Sequence, residues 1–368
     1  MGNKPFNVIV VLFWLATMSW LTVSKILPPL RVGEPPNYAS ILQDTADEPP
    51  VCWSIRMRDR MVGWAANKVV HRKDGIHELY SRVYLGEVPL EELAPGWLAS
   101  VLKPLFLDTR YMDIDKRSCF IVDPLGRLAE FDSRVRLGSI EDAIHIHGQI
   151  EGALLKLSVQ SGELSANLER TLAPSALMSD ELSPQARMPG LRVGQTWTVP
   201  IYSPFRAPNS PLEILQAIVE REDRFQWEGE NVLTRVIVYR GDAGSGIGGG
   251  ESRGRMWVRD DGVVLRQEVI VFHSPVQFDR LTDSQSKAMQ RTLTGDWNLP
   301  LPARQARQML KLLGDQTIEA DLTPASPSDD ADPDAAMEDI DAAGDDADAA
   351  GDGAPDEIQP IDALLESP

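Results

Sequence analysis

A mainly β fold built on an antiparallel sheet is what this sequence predicts, and three observations predict it. About a dozen short segments between Trp53 and Phe272 alternate apolar and polar residues with a period of two, the pattern of strands with one wet face. Asp74-Gly75, Asp261-Gly262 and Pro124-Leu125-Gly126 separate pairs of these segments; short Gly-containing connections make hairpins, which join antiparallel neighbours. Helical periodicity is scarce over the same stretch.

Residues 1–5 form a short tail ahead of the one segment that names a place. Pro5 to Ser24 is twenty residues without a charge, and in a helix rising about 1.5 Å per residue it spans roughly 30 Å, the hydrocarbon thickness of a bilayer. Its polar positions, Asn7, Thr17, Ser19, Thr22 and Ser24, include no charge and make no polar face of the kind a soluble helix shows. A cleaved signal peptide wants small residues after a shorter apolar run, yet Trp20, Leu21, Thr22 and Val23 stand there. The expectation is a transmembrane anchor over residues 6–24, with export after signal cleavage as the alternative. Lys4 on one side and Lys25 and Arg31 on the other nearly cancel in the charge rule. The short leading tail then places the bulk of the chain outside the cytoplasm, as a periplasmic domain held in single-pass fashion at the cell inner membrane.

Residues 25–50 form a Pro-rich spacer, and residues 51–300 form the β-rich region. Within that region Ala129, Phe131, Ser133, Val135 and Leu137 alternate with Glu130, Asp132, Arg134 and Arg136. Similar runs begin at Trp53, Met61, Ile76, Cys119, Ala143, Ala153, Leu164, Thr196, Ile214, Val232, Arg253 and Val263. Gly148 and Gly152 interrupt the run from Ile144 to Val159, which leaves one bent strand or a tight hairpin open there. A Pro-containing stretch from Pro184 to Arg192 divides the region into two candidate halves, so one large domain and two smaller ones are both open. Helices are expected at Glu91–Lys103 and over residues 301–316, the second ended by Gly314.

The formal net charge is −19, but its distribution matters more than its size. Of 55 acids and 36 bases, sixteen acids and no bases lie from Asp321 onward, leaving 39 acids against 36 bases ahead of it. The β-rich region is nearly neutral and shows no basic stripe, which argues against nucleic acid as a partner. Residues 321–368, rich in Ala, Asp, Gly and Pro, cannot offset their ordering entropy and are expected to be disordered. Asp346, Asp348, Gly351, Asp352 and Glu357 fall in a calcium-loop register, but Ala350 and Pro355 break it and no amphipathic helix flanks it.

Candidate sites are few. Cys52 and Cys119 can form one disulfide in an exported protein, although nothing in the sequence fixes their separation. His145 and His147 share one face of a strand and are the candidate metal pair, lacking a third ligand at a diagnostic spacing; His71, His77 and His273 complete the histidines. Gly244, Gly246 and Gly249 match a dinucleotide fingerprint, but the strand that follows is the wrong context. Cys52-Trp53-Ser54 faintly resembles the surroundings of a transglutaminase-type cysteine, without the helix that would activate the thiol. No cofactor is indicated.

Residues 188–270, with MPGLRVGQTWTVPIYSP, PLEILQAIVE and RGRMWVRDDGVVLRQEV, resemble bacterial exported β-sheet proteins of the lipoprotein-carrier type, and the β-rich region that precedes transglutaminase-like domains. The shared motif is Trp257 to Gly262 with Leu265 and Glu268. The resemblance implies a strongly curved, half-barrel-like antiparallel sheet around an apolar groove. The functional expectation is a membrane-anchored extracytoplasmic binding or scaffold protein, with no catalytic motif, whose sheet face holds an acyl chain or a partner protein. The alternative is an extracytoplasmic hydrolase or transferase whose site the sequence does not reveal.

Overall fold

The computed structural model describes residues 4–22, 35–43, 48–58, 60–89, 111–173, 176–207, 209–241, 252–271 and 274–321. The helix expected at Glu91–Lys103, the glycines at 244–249, His273 and the tail from 322 onward lie outside the described residues.

The alternating segments form strands β1 (Val51–Met57), β2 (Arg60–His71), β3 (His77–Pro89), β4 (Tyr111–Val122), β5 (Leu128–Leu137), β6 (Ile140–Glu151), β7 (Leu154–Ser161) and β8 (Leu164–Thr171). A long inner segment that carries β9 (Ser179–Asp180) leads to β10 (Thr196–Tyr202), β11 (Leu212–Trp227), β12 (Glu230–Gly241), β13 (Ser252–Arg259), β14 (Val264–Val271) and β15 (Ser274–Arg280). All fifteen belong to one sheet, running from β8 down to β1, across to β15, and down to β9. The chain is thus two meanders joined where β1 pairs antiparallel with β15. Every neighbouring pair is antiparallel except β9 with β10.

The turn residues explain the local connections. Gly75, Gly126 and Gly262 each sit at positive φ, the conformation that a hairpin asks of glycine. Gly152 does the same between β6 and β7, whereas Gly148 stays within β6, because a Cβ there would lie 2.0 Å from the Phe131 ring. The ambiguity at these two glycines therefore resolves as a hairpin at one and a close packing contact at the other.

Contacts across the interior show that this sheet is curled and open. Nine steps separate β4 from β10 in the strand order, roughly 43 Å at about 4.8 Å each if the sheet were flat. Yet Phe120 of β4 and Phe131 of β5 stack near Tyr202 of β10, with centroids 6.1 and 5.0 Å away. One core contains Ile55, Val83, Ile114, Val135 and Ile146 from one meander with Val199, Ala217, Met256, Val276 and Phe278 from the other.

The segment joining the meanders runs through this interior, and Leu177, Met178, Leu182, Met188 and Leu191 belong to the core. Its polar groups are tied on both sides. Pro184 O accepts from Asn67 of β2, the Gln185 N–H donates to Gln267 of β14, and Glu181 N–H donates to Tyr202 O. The stretch Pro184–Arg192, a candidate division between halves, therefore contributes Met188 and Leu191 to the filling while Gly190 and Arg192 are exposed. A short helix, α2 (Tyr38–Leu42), closes one side, with the Tyr38 hydroxyl donating to Met178 O.

A second, smaller core lies on the outer face of β1–β3. There α3 (Asp283–Thr292) and α4 (Ala303–Asp321) cover Cys52, Trp64 and Tyr84 with Met289, Leu293, Ala306 and Met309. Trp64 Nε1 donates to Ala306 O, and Arg307 donates through both Nε and Nη2 to Oδ2 of Asp113 of β4. Helix α4 runs past Gly314, which makes no C-cap there.

The remaining helix, α1 (Lys4–Leu21), has 18 residues, about 27 Å at the α-helical rise. Among the described residues no helix is long and apolar enough to cross a membrane, so the transmembrane span expected over 6–24 is not supported. Of the expected span this helix holds residues 6–21, about 24 Å at the α-helical rise, short of the roughly 30 Å of a bilayer's hydrocarbon core. Large apolar side chains are nevertheless exposed along it, from Ile9 through Phe13 and Trp14 to Trp20.

Candidate functional site

Strict alternation puts three rows of side chains on the outer face of β3–β6. Cross-strand pairing aligns Tyr80, Cys119, Asp132 and His147 in one row. Arg82, Arg117, Arg134 and His145 make the row beside it, and Glu78, Ile121, Glu130 and Gln149 the row on its other side. Adjacent rows lie about 7 Å apart and adjacent strands about 4.8 Å apart. The result is a lattice of hydrogen-bonding groups.

One wall of this lattice is the connection between α3 and α4. Arg82 donates to Asp296 O and Leu299 O, each at 2.7 Å, and lies over the Trp297 ring, while Arg117 donates to Asn298 O. Three backbone carbonyls are thus pinned to two guanidiniums. Between this strap and β6 runs an open groove of about 700 Å³, reaching His145 and His147.

The groove's charges are paired within it. His145 Nε2 lies 2.6 Å from Asp132 Oδ2, and Arg134 donates to Asp132 Oδ1 at 2.9 Å. Arg117 and Arg134 both reach Asp142 at the start of β6, and Arg72 pairs with Glu78. Burial raises the Asp132 carboxyl, but hydrogen bonds from His145 and Arg134 outweigh it, and the net is below the ordinary carboxylate range. The lining holds three arginines, Arg72, Arg117 and Arg134, against Glu78, Glu130 and Asp132. Its fixed charge therefore balances.

The thiol in this groove is not activated. Burial first, then the neighbouring Glu78, pushes Cys119 up to about 12, the opposite of the shift that makes a nucleophilic thiolate. Burial likewise pushes the Tyr80 phenol up to about 12. His145 with Asp132 has the geometry of an oriented base, but neither neighbouring hydroxyl or thiol is poised to ionise.

Other sequence candidates fall elsewhere. Cys52 and Cys119, the possible disulfide pair, are both free thiols in this structure. They sit on β1 and β4, three steps across the sheet and two residues along it, which is about 16 Å by strand geometry where a disulfide needs Cα atoms within about 7 Å. His71 and His77 face each other at the end of the β2–β3 hairpin, ring centroids 4.6 Å apart. Among the described residues no cluster of three or more His, Cys, Asp and Glu is arranged to hold a metal ion; His145 instead engages Asp132, whose other oxygen Arg134 occupies.

Sequence reasoning found the two histidines but not their partners. The signal was present: the acidic alternation of β5 faces the histidine alternation of β6 across one tight turn. It also missed a buried ion pair on the inner face. There Lys116 follows Met112 and Ile114 in the apolar alternation of β4, wholly buried, and its ammonium meets the Asp180 carboxylate. Burial draws the Lys116 ammonium down while Asp180 opposes this. Asp180 also accepts from the hydroxyls of Tyr202 and Ser183, and Ser183 and Ser118 accept from Lys116.

No protein-family model matches the chain, and no curated protein matches it. Among solved structures, a β-barrel-like protein of a domain of unknown function from Brucella abortus aligns at TM-score 0.39 and 8% identity, over 63% of this chain and 95% of that one. The lipoprotein-carrier and transglutaminase-like relationships gain no support from these matches beyond a β-rich fold.

Proposed function

We propose that this protein is a membrane-tethered extracytoplasmic binding module that holds an extended segment of a partner protein in the groove on the outer face of β3–β6. The observation that carries the reading is the groove itself: about 700 Å³, balanced in charge, with its thiol pushed up to about 12. An extended polypeptide needs acceptors for its N–H groups and donors for its C=O groups. The carboxylate and guanidinium rows supply both, and Tyr80, Ile121 and Leu299 add apolar contact. Balanced fixed charge gives a polyanion no advantage, which disfavours nucleic acid.

An acyl chain is the weaker occupant. The apolar face of the sheet is turned inward and filled by residues 176–191, and the cavities beside that filling, about 90, 40 and 100 Å³ among the described residues, are each well below the 300–1,000 Å³ usual for ligand pockets. A hydrolase or transferase reading can start from the His145–Asp132 pair, but it lacks an activated nucleophile beside it. Tethering belongs to the same proposal, since apolar side chains along α1 such as Phe13 and Trp20 are 73% and 75% exposed and want an apolar environment.

The test is photo-crosslinking in cells that make the full chain, from a photoreactive residue at position 147 on the groove and, for comparison, at position 233 on β12. A discrete protein adduct from 147 and none from 233 is expected. No adduct, or the same adducts from both positions, overturns the proposal. Deleting residues 4–21 is expected to move the protein from the membrane to the soluble fraction; an unchanged distribution overturns the tether.

A further inference from the structure

We infer that the interior of the curled sheet holds a second binding site, independent of the groove, for a small neutral molecule with one hydrogen-bonding head and a short apolar body. The site is the cavity of about 90 Å³ between α2, the inner face of β2–β4 and the inner segment near Asp180–Arg187. Its walls are largely apolar, with Ile41, Val69, Leu79, Phe120 and Met178 among them. One polar row crosses this apolar face, because Asn67 of β2 stands directly opposite Ser81 of β3, and Ser81 opposite Ser118 of β4.

Two atoms of that row ask for a partner. Asn67 Nδ2 donates to Pro184 O at 2.6 Å, which fixes the amide with its oxygen elsewhere. Asn67 Oδ1 and Ser81 Oγ are buried and have no hydrogen-bond partner among the described residues. Ser81 is 6% exposed, so bulk water does not reach it freely. Native proteins rarely leave such groups unpaired.

The remaining polar groups of the wall decide the charge of the ligand. Asp180 is neutralised by Lys116 and also receives Tyr202, Ser183 and the Leu182 N–H. Glu48 and Arg187 pair with each other at 2.7 Å. Lys68 belongs by alternation to the outer row with Tyr80. Among the described residues the cations here, Lys116 and Arg187, are each already paired with a carboxylate, Arg187 keeping one unpartnered Nε–H, so an anion would meet Asn67 Oδ1 and the Asp180 carboxylate without a cation of its own, and a cation would find Asp180 already taken. What fits is a neutral donor for Asn67 Oδ1 that also exchanges a hydrogen bond with the Ser81 hydroxyl, which points to an alcohol or a primary amide.

Size follows from volume. Scaled from a cavity of roughly 150 Å³ that takes benzene, about 90 Å³ takes roughly four heavy atoms, the size of propanol, one fewer than propionamide, or the end group of a larger amphiphile. Two or three waters also fit and could pair the same atoms, so the experiment must separate these occupants.

Propionamide and propionate, alike in size and different in charge, are titrated into the full-length protein and followed by saturation-transfer NMR and thermal shift. Saturable binding of propionamide at least 10-fold tighter than propionate is expected. Ser81→Val is expected to weaken propionamide at least 5-fold, and Val69→Phe, which fills the cavity, to abolish it. Arg134→Glu in the groove is expected to leave it unchanged, which keeps this site's failure distinct from the groove's. Equal binding of the two probes, no saturation, which would mean water only, or binding that survives Val69→Phe overturns the inference.

Discussion

Asp180 and Lys116 form a buried pair whose two members are not equally dependent on each other. Without Lys116, the carboxylate keeps hydroxyl donors from Tyr202 at 2.7 Å and Ser183 at 2.9 Å and the Leu182 N–H at 3.1 Å. Without Asp180, the wholly buried ammonium keeps, among the described residues, two serine hydroxyls and the more distant face of the Tyr202 ring. Removing one partner of a buried pair costs about 3–5 kcal/mol, and Asp180→Leu is expected at or above the top of that range while Lys116→Met falls at or below its bottom. Urea unfolding midpoints measure the difference, and the reverse order would contradict it. In the groove, a Cys119 thiol near 12 predicts that a Cys52→Ser variant alkylates at pH 8 at under a tenth of the rate of a free thiol; ordinary or faster labelling at pH 7 would indicate an activated cysteine. Asp132 titrates below its ordinary value in the fold. The stability it contributes is therefore present above the usual carboxylate pKa of about 3.9 and lost as pH falls through its folded value. Asp132→Asn should flatten the fall in melting temperature between about pH 4 and pH 2, and an identical acid limb in variant and parent would sink the assignment.

Elements were the most legible scale in the sequence. β5 was readable because Phe131, Ser133, Val135 and Leu137 alternate with charged residues, and the structure turns the first set inward. β4 was recognised only from Cys119 onward, since Asp115, Lys116, Arg117 and Ser118 read as polar; these are buried by ion pairs and hydrogen bonds that a hydropathy pattern does not register. The second half of β11 was missed because its side chains are mostly exposed and a bulge between Val219 and Arg221 shifts the period. Helix α3 carried its own signature, a capping box of Thr282 with Gln285, hidden by low hydrophobicity. Packing between elements gives a sharp test at Gly148, where an added Cβ meets the Phe131 ring at 2.0 Å. Gly148→Ala should cost about 1–3 kcal/mol, as overpacking does, and Phe131→Leu should restore part of the loss. Urea titrations of the single and double variants check it, and additive losses would contradict it.

At the scale of the whole molecule, alternation could tell that a strand has an inner face but not which distant strand it looks at. The contact of Phe131 with Tyr202 and the passage of residues 176–191 through the core depend on curling over many strand steps, and no local pattern encodes that. The groove was partly legible for the same reason in reverse. His145, His147 and the acids of β5 are neighbours through one hairpin, while the strap at Asp296–Leu299 comes from 150 residues further along and could not be placed. The balance of charge in this groove is the basis for a binding role, and it can be unbalanced by one exposed residue, Arg134. The most direct test compares the yield of cross-linked protein from position 147 with that from position 233, first in the parent chain and then with Arg134→Glu. The account predicts a ratio of at least 10 in the parent, falling toward 1 in the variant. A ratio near 1 in the parent, or one that Arg134→Glu leaves unchanged, would contradict it.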